Sequence, residues 1–467
     1  MVVAYVLNLL CNKPEKAAIM YEHLQTYLGK DIYPFHMPGH KRNPMFFPPG
    51  MADLDLTEIP GMDILRTPTG VIRDMQDVLA ISYDSDESYL LVNGSTAGVT
   101  AAICAVCNEG DKLYAARNGH VSMFNGMALA GAEPVYILPE MTYDGLAGGI
   151  VPEALNHMEE GAVVFVVSPT YEGFISDIKT IAEKVHSHGG VLIVDEAHGA
   201  HLRFHDTFPE SALNLGADIV IQSFHKTLPV LGQMAILHVK SRRIDLPRLR
   251  FFLQAMQTTS PSYMLMGQLD YVMRMLWKRP EVFDMYVSRL DALRKALSAE
   301  AGQAICLSGL ERLGRSGIHD IDQCKLLFYM NIDENVINIP DTLSAEYRLQ
   351  VEMATGRHLL AMTSVADTDE GMQRLWSALG SLNIRLENSM TTYYKNPQLQ
   401  NIDLPEIVLP PRQAVRQETE VIPWEHSAGR IAGEIIAAYP PGIVQAAPGE
   451  RIPHGLPKLA SEIRVVK

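Results

Sequence analysis

Residues 162–201 read AVVFVVSPTYEGFISDIKTIAEKVHSHGGVLIVDEAHGAH, and this stretch decides the fold. AVVFVVS (162–168) and VLIVD (191–195) are short β-rich runs that are apolar throughout, as expected of strands buried on both faces. Between them, SDIKTIAEKVHSHGG (176–190) spaces its apolar residues as a helix does and stops at Gly189-Gly190. Strand, helix, strand of this kind builds a parallel sheet covered on both sides. The pattern extends outward on either flank. SYLLV (88–92), KLYAA (112–116), EPVYIL (133–138), DIVIQS (218–223) and MAILHV (234–239) read as further strands, with AGVTAAICAVC and VSMFNGMALAGA as helical segments. The expected fold class is α/β, with a mainly parallel seven-stranded sheet.

The chain has 467 residues, more than one ordinary domain needs. Residues 31–70 are rich in Pro, Gly and His and read as a loop-like entry arm. Residues 244–300 look helical. From about 301 to 385 the character changes, with RHLLAMTSVAD as a strand candidate ahead of the helix DEGMQRLWSALGSL; the polar, Pro-bearing stretch 388–411 reads as a linker. The expected organisation is an N-terminal segment (1–30), a major domain (31–300), a small α+β domain (301–387) and a linker with C-terminal domain (388–467).

Apolar residues make up 47% and charged residues 20%, which excludes wholesale disorder. The net charge of −15 repels phosphate backbones and anionic membranes, so neither nucleic acid nor a membrane is an expected partner, whereas a small cation would be attracted. Five cysteines form no disulfide framework in so long a chain and fit a reducing compartment. No apolar run reaches the ~20 residues of a membrane span. The opening MVVAYVLNLLCNK lacks a basic leader and a small-residue cleavage site and reads as the start of a structural element. A cytoplasmic protein is expected.

Four short motifs sit at predicted strand ends, the edge where an open α/β sheet gathers ligands. SFHKTLP (223–229) places Lys226 after a strand; burial there would lower its pKa and make the amine a nucleophile, although a surface lysine would give the same letters. VDEAHGAH (194–201) places Asp195 where it could pair with a protonated ring nitrogen. Its DEAH letters suggest a helicase, but no G-x-x-x-x-G-K-[ST] loop accompanies them. Glu196, His198, His201 and His205 could bind zinc, but they lack the H-E-x-x-H spacing, and no metal is expected. LVNGSTAG (91–98) puts Ser95 and Thr96 at a helix N-terminus, an anion cradle or an ordinary pair of N-caps. RNGHVSMF (117–124) puts His120 at another strand-to-helix junction, able to stack on a planar ring or to serve structure alone. CAVC (104–107) lies within an apolar helix and reads as core packing, not as a redox pair. Jointly the four motifs supply a phosphate cradle, a stacking ring, a carboxylate and a lysine at one sheet edge. Pyridoxal 5′-phosphate is the cofactor that needs this set.

The series HMPGHKR, LDLTEIPGMD, LVNGSTAG, RNGHVS, SPTYEG, VDEAHGAH, SFHKTLP, QTTSPSY and YPPGI-x₄-PGE closely resembles the bacterial ornithine/lysine/arginine decarboxylases of fold type I, over about residues 31–452. The likeness is to a short form without the N-terminal receiver-like wing domain. It implies an aspartate-aminotransferase-like large domain, a smaller α+β domain and a C-terminal appendage. It implies pyridoxal phosphate held covalently by Lys226, with Asp195 on the pyridine nitrogen and His120 stacked on the ring. Ser95, Thr96 and the Ala97 backbone would hold the phosphate with Ser223 and His225, and Thr258 would reach it from the partner subunit. His198 would lie beside the ring, Tyr171 along the substrate side, and Glu434 near the mouth. The resemblance implies a carbon–carbon lyase that converts arginine, lysine or ornithine to its amine and CO₂ in polyamine metabolism, as a homodimer or higher homo-oligomer. Val121, Gly232 and Val444 depart from the family pattern, which usually has lysine, Ser or Thr, and proline there. Two alternatives stay open: another pyridoxal-phosphate reaction such as transamination, and a low-activity paralogue with a binding or regulatory role.

Overall fold

The computed structural model describes residues 20–30, 53–299, 304–331, 338–355, 357–387, 404–438 and 443–467. The opening segment, the HMPGHKR motif, most of the linker and the YPP of the C-terminal motif lie outside the described residues.

In chain order the first strands are β1 (Glu87–Leu91), β2 (Lys112–Ala116), β3 (Glu133–Ile137), β4 (Val163–Val167), the two-residue β5 (Phe174–Ile175), β6 (Val191–Asp195), β7 (Ile219–Gln222) and β8 (Ala235–Val239). All except β5 join one seven-stranded sheet of order β1-β8-β7-β6-β4-β2-β3. Only β8 runs antiparallel to its neighbours, β1 and β7; the other pairs are parallel. All seven strands coincide with apolar runs read from the sequence. The reversed direction of β8 is not encoded in a run of apolar residues.

The strands lack alternation because the sheet has a core on each side. Val164, Val166, Leu192, Val194, Val220 and Ile236 face one core. Val163, Phe165, Ile193, Ile219, Ile221 and Leu237 face the other. Each such side chain contributes roughly 1.5–3 kcal/mol by leaving water. The covering helices are set by local chemistry. Asp177 caps the helix Ile178–Ser187 by accepting the Thr180 N–H at 3.1 Å, and Gly189 follows with φ +66°. The helix Gly94–Val106 lies directly on the sheet at Gly98, where a Cβ would come within 2.5 Å of Leu91 Cδ1. Asp63, the last residue of LDLTEIPGMD, organises the start of the helix Val71–Tyr83. Its Oδ2 accepts the N–H groups of Gly70 (2.8 Å), Ile72 (3.0 Å) and Arg73 (3.2 Å).

A second, antiparallel sheet has order β12-β13-β11-β9, from β9 (Ile305–Leu307), β11 (Lys325–Met330), β12 (Met353–Thr355) and β13 (His358–Met362). β13 is the strand read in RHLLAMTSVAD, and the helix Asp369–Glu387 follows it. The short β10 (Asp320–Ile321) leaves this sheet and pairs with β5, setting Asp320 opposite Ile175 and Ile321 opposite Phe174. That pairing carries the segment between β10 and β11 to the loop after β4. In the C-terminal region, Thr419–Pro423 pairs with Glu462–Val466, and Ile436–Ala438 with Ile443–Ala446. Among the described residues no helix is long and apolar enough to cross a membrane.

Candidate active site

Parallel strands bring their C-terminal ends to one edge. Register aligns Val167 with Asp195 and Asp195 with Ile221, so β4, β6 and β7 finish level. The loops leaving those ends carry Tyr171, His198 and Lys226.

Lys226 lies in the single helical turn Phe224–Thr227 after β7. Burial pulls its pKa below the ordinary lysine value, against the attraction of Asp195 and Glu352. Asp195 is the last residue of β6, 4% exposed, and accepts the Ala197 N–H at 3.1 Å. Burial raises its pKa, and nearby Lys226 and His120 oppose that rise. Each group thus holds down the cost of charging the other. His120 N-caps the helix Val121–Ala130, and its Nδ1 accepts the Ser122 N–H at 3.3 Å. Desolvation lowers its pKa, with Asp195 opposing and Lys226 adding to the fall.

His198 is buried and holds the centre. Its Nε2 lies 3.2 Å from Lys226 Nζ, its Nδ1 lies 2.8 Å from Lys325 Nζ, and the Tyr171 ring meets it edge-on at 5.3 Å. Burial, then Lys325 and Lys226, drives its pKa well below the usual histidine value, so the ring is neutral. The Tyr171 hydroxyl donates to Glu352 Oε1 at 2.5 Å. Neither Lys325 nor Glu352 was singled out in the sequence. Both come from the smaller sheet region, and the β5–β10 pairing carries the turn before Lys325 to this edge.

The remaining candidates divide. Asn93 at the N-cap of Gly94–Val106 makes no side-chain capping bond, so its side chain leaves the first-turn N–H groups around Ser95, Thr96 and Ala97 uncapped. The Gly94 turn lies against the Gln233 carbonyl, and His225 Nδ1 approaches the adjoining Met234 carbonyl at 2.9 Å. Ser223 Oγ and Thr227 Oγ1, flanking Lys226, are buried without a hydrogen-bond partner among the described residues. Thr258 lines a cavity of about 590 Å³ with Arg66, Arg73 and Arg250. Glu434 accepts the Arg464 N–H at 2.8 Å, and no hydrogen bond or ion pair among the described residues ties it to the Lys226 group. Glu172 is buried and takes the Thr170 hydroxyl at 3.0 Å, with its pKa raised by burial.

The residues weighed as a zinc set point in separate directions. Glu196 accepts from Ser211, Ala212 and Gln222, His201 faces Asp322, and His205 faces Asp284. His201, Asp322 and Cys324 do lie within 4.8 Å of one another in the interior. Cys104 and Cys107 are packed in the core, with burial pushing their thiols up to about 11 and about 12, which suppresses the reactive thiolate. Of the departing residues, Val444 is buried in the core beneath the sheet, and a Cβ at Gly232 would meet nothing within 4 Å among the described residues.

The donor set fits pyridoxal phosphate: a depressed amine beside a buried carboxylate, an uncapped helix N-terminus, and two orphaned buried hydroxyls. Fold and site together define a fold-type-I pyridoxal-phosphate enzyme. Residues 18–318 match the model of the Orn/Lys/Arg decarboxylase major domain, and residues 394–460 match that of the C-terminal domain. The arginine decarboxylase of Bacillus cereus is 31% identical over 449 residues, covering 92% of this chain and 96% of that one. The arginine decarboxylase of Bacillus subtilis is 30% identical, covering 93% and 91%. The structure of the constitutive lysine decarboxylase of E. coli shares the fold at TM-score 0.78 and 19% identity, covering 96% of this chain and 82% of that one. The chain belongs to the Orn/Lys/Arg decarboxylase family.

Proposed function

We propose that the chain decarboxylates a basic amino acid to its amine and CO₂, with arginine preferred. The observation that carries the reading is the convergence of Lys226, Asp195 and His198 at one strand edge in a member of this family. Arginine is favoured because four relatives at 30–32% identity over most of the chain bear the name arginine decarboxylase. When bound, pyridoxal phosphate supplies the electron sink for the electrons left behind by departing CO₂.

In this reading Lys226 holds the cofactor covalently and gives way to the substrate amine. Asp195 keeps a cationic ring nitrogen protonated, a role for which a buried carboxylate is suited because an unpaired charge there is costly. His120 covers the ring. Ser95, Thr96, the Ala97 N–H, Ser223 and His225 bind the phosphate, and Thr258 contributes across a subunit interface. Tyr171 lines the substrate side with His198, and Glu434 borders the mouth. A homodimer or larger homo-oligomer, a cytoplasmic site and a place in polyamine metabolism complete the proposal. The surface charge of −15 favours the approach of cationic substrates.

The test is end-product analysis with a comparison of kcat/KM for arginine, lysine and ornithine against norleucine. Norleucine is expected to fall at least ~10²-fold below arginine, because it leaves a carboxylate in the site without its charged partner. Equal turnover of norleucine would remove the cationic substrate. A requirement for a keto-acid acceptor, with no CO₂, would favour transamination instead.

Asp195→Asn is expected to keep the fold and lose about 10²-fold or more in kcat, near 2.7 kcal/mol of transition-state stabilisation. Asparagine is isosteric but cannot hold a proton on the ring nitrogen by charge. Turnover within twofold of the unaltered protein would contradict the role given to Asp195.

A further inference from the structure

We propose that Lys325 is the proton store for Lys226, exchanging one proton with it through the imidazole of His198. The inference rests on the reading of Lys226 as the reactive amine and adds a positioning residue behind it.

The geometry forces a choice of proton. His198 Nε2 meets Lys226 Nζ at 3.2 Å, and its Nδ1 meets Lys325 Nζ at 2.8 Å. A neutral imidazole carries one N–H and one lone pair. It can accept from one ammonium only, and it must donate to the other lysine, which is then a neutral amine. Two charged lysines on one neutral ring would leave the ring N–H pointing at a cation. The pair therefore holds one proton fewer than two free lysines. The shorter contact is on the Lys325 side, as for a charge-assisted bond, which leaves Lys226 as the neutral amine receiving the Nε2 hydrogen.

The surroundings offer the proton a buried carboxylate at either lysine. Lys226 is faced by Asp195 from β6, by His120 from the N-cap of Val121–Ala130, and by Glu352. Lys325 is faced by Asp322 and Cys324 from its own turn, by Glu352, and by Glu172 from the loop after β4. Asp322 is fully buried; its Oδ1 is bonded by His201 and the Cys324 N–H, and its Oδ2 has no hydrogen-bond partner among the described residues. Each lysine thus has its own buried carboxylate. Lys325 is itself only 3% exposed, and burial lowers its pKa to about 8, so it can change charge near neutrality. Its approach is built in: Gly173 of PTYEG has φ +97°, and a Cβ there would lie 2.7 Å from Lys325 Cγ.

The step balances without another reagent. The Lys226 ammonium gives its proton to His198 Nε2, and the Nδ1 hydrogen passes to the Lys325 amine. Lys226 is left neutral and nucleophilic, with Lys325 charged beside Asp322. The reverse transfer returns the proton.

The test uses the full chain stripped of cofactor, so it reads the lysines and not turnover. Labelling of Lys226 by an amine-selective reagent is followed against pH by peptide mass spectrometry, in the unaltered protein, Lys325→Met and Lys325→Arg, with thermal melts as a folding control. In the unaltered protein the Lys226 midpoint is expected below that of an ordinary lysine. Lys325→Met removes the neighbouring cation and the store, so the midpoint should rise by at least about one unit and labelling at pH 8 should fall about tenfold. Lys325→Arg keeps a fixed charge on Nδ1 but cannot take the proton back, so labelling should equal or exceed that of the unaltered protein. A Lys226 midpoint near 10.5 in the unaltered protein would overturn the proposal without recourse to variants. So would a fall of less than twofold in Lys325→Met, or equal falls in both variants, which is what lost packing alone would give. Borohydride trapping in the loaded protein separately tells whether Lys226 is the cofactor lysine, so the two failures are distinguishable.

Discussion

Lys226→Ala is expected to lower turnover by at least ~10⁴-fold, about 5.4 kcal/mol in the barrier, and to remove the visible absorption of the lysine-linked cofactor. Three properties of Lys226 set the size of this effect. It stands at the sheet edge where β7 ends, within reach of Asp195 and bonded to His198. Its amine is depressed by burial, so a nucleophilic fraction exists at neutral pH. It is also flanked by Ser223 and Thr227, whose buried hydroxyls have no hydrogen-bond partner among the described residues. Alanine leaves those hydroxyls and Asp195 in place. The variant should therefore still bind the cofactor non-covalently and regain a visible band when an amino-acid substrate supplies the missing amine. Retention of a borohydride-reducible linkage in Lys226→Ala, or trapping of a different lysine in the unaltered protein, would refute the assignment.

Much of this site could be read before any coordinates, for a physical reason. Strands buried on both faces, such as VVFVV and VLIVD, announce themselves as unbroken apolar runs, and a parallel arrangement sends all their C-terminal ends to one edge. Lys226, Asp195 and His120 follow directly from that rule. What could not be read depends on contacts across the fold. Lys325 begins an ordinary strand in DQCKLLF, and the pairing of β10 with β5 helps to bring it within 2.8 Å of His198 Nδ1. Glu352 likewise enters by the packing of the smaller sheet region against Tyr171. The Glu196 of DEAH offers the converse lesson. Beside Asp195 in sequence it suggests chemistry, but alternation turns it to the far side, where it secures Ser211, Ala212 and Gln222. Motif membership marked the region, and strand direction decided the role.

Glu450→Ala is expected to destabilise the folded chain by about 3–5 kcal/mol, the largest stability effect among these substitutions. Glu450 closes the PGE motif, one of those that carry the family resemblance. In the structure it forms a joint. Its carboxylate accepts from both terminal guanidinium nitrogens of Arg117, at 2.6 and 2.8 Å, across 333 residues of chain, and also from the Ala447 N–H at 2.8 Å. The guanidinium lies 4.4 Å from the Tyr136 ring centroid and 5.4 Å from that of Phe124. The side chains of Arg117 and Glu450 are 6% and 2% exposed. A pair so enclosed contributes little net stability when intact, because both ions left water to form it. Removing one partner is different, since Arg117 would keep its full charge among aromatic rings with no counter-ion. Arg117 also lies three residues before His120, so the joint fixes the C-terminal region to the loop that carries a proposed cofactor contact. The measurement is the shift in urea midpoint, with Arg451→Ala as control, because Arg451 pairs with Glu406 on the surface, where such pairs contribute at most ~1 kcal/mol. Glu450→Gln should fall between the two, keeping the shape but not the charge. The apolar double replacement Arg117→Met with Glu450→Leu should recover much of the loss, since it buries no unpaired ion. A Glu450→Ala midpoint indistinguishable from the Arg451→Ala control would show that the joint is not held by this pair.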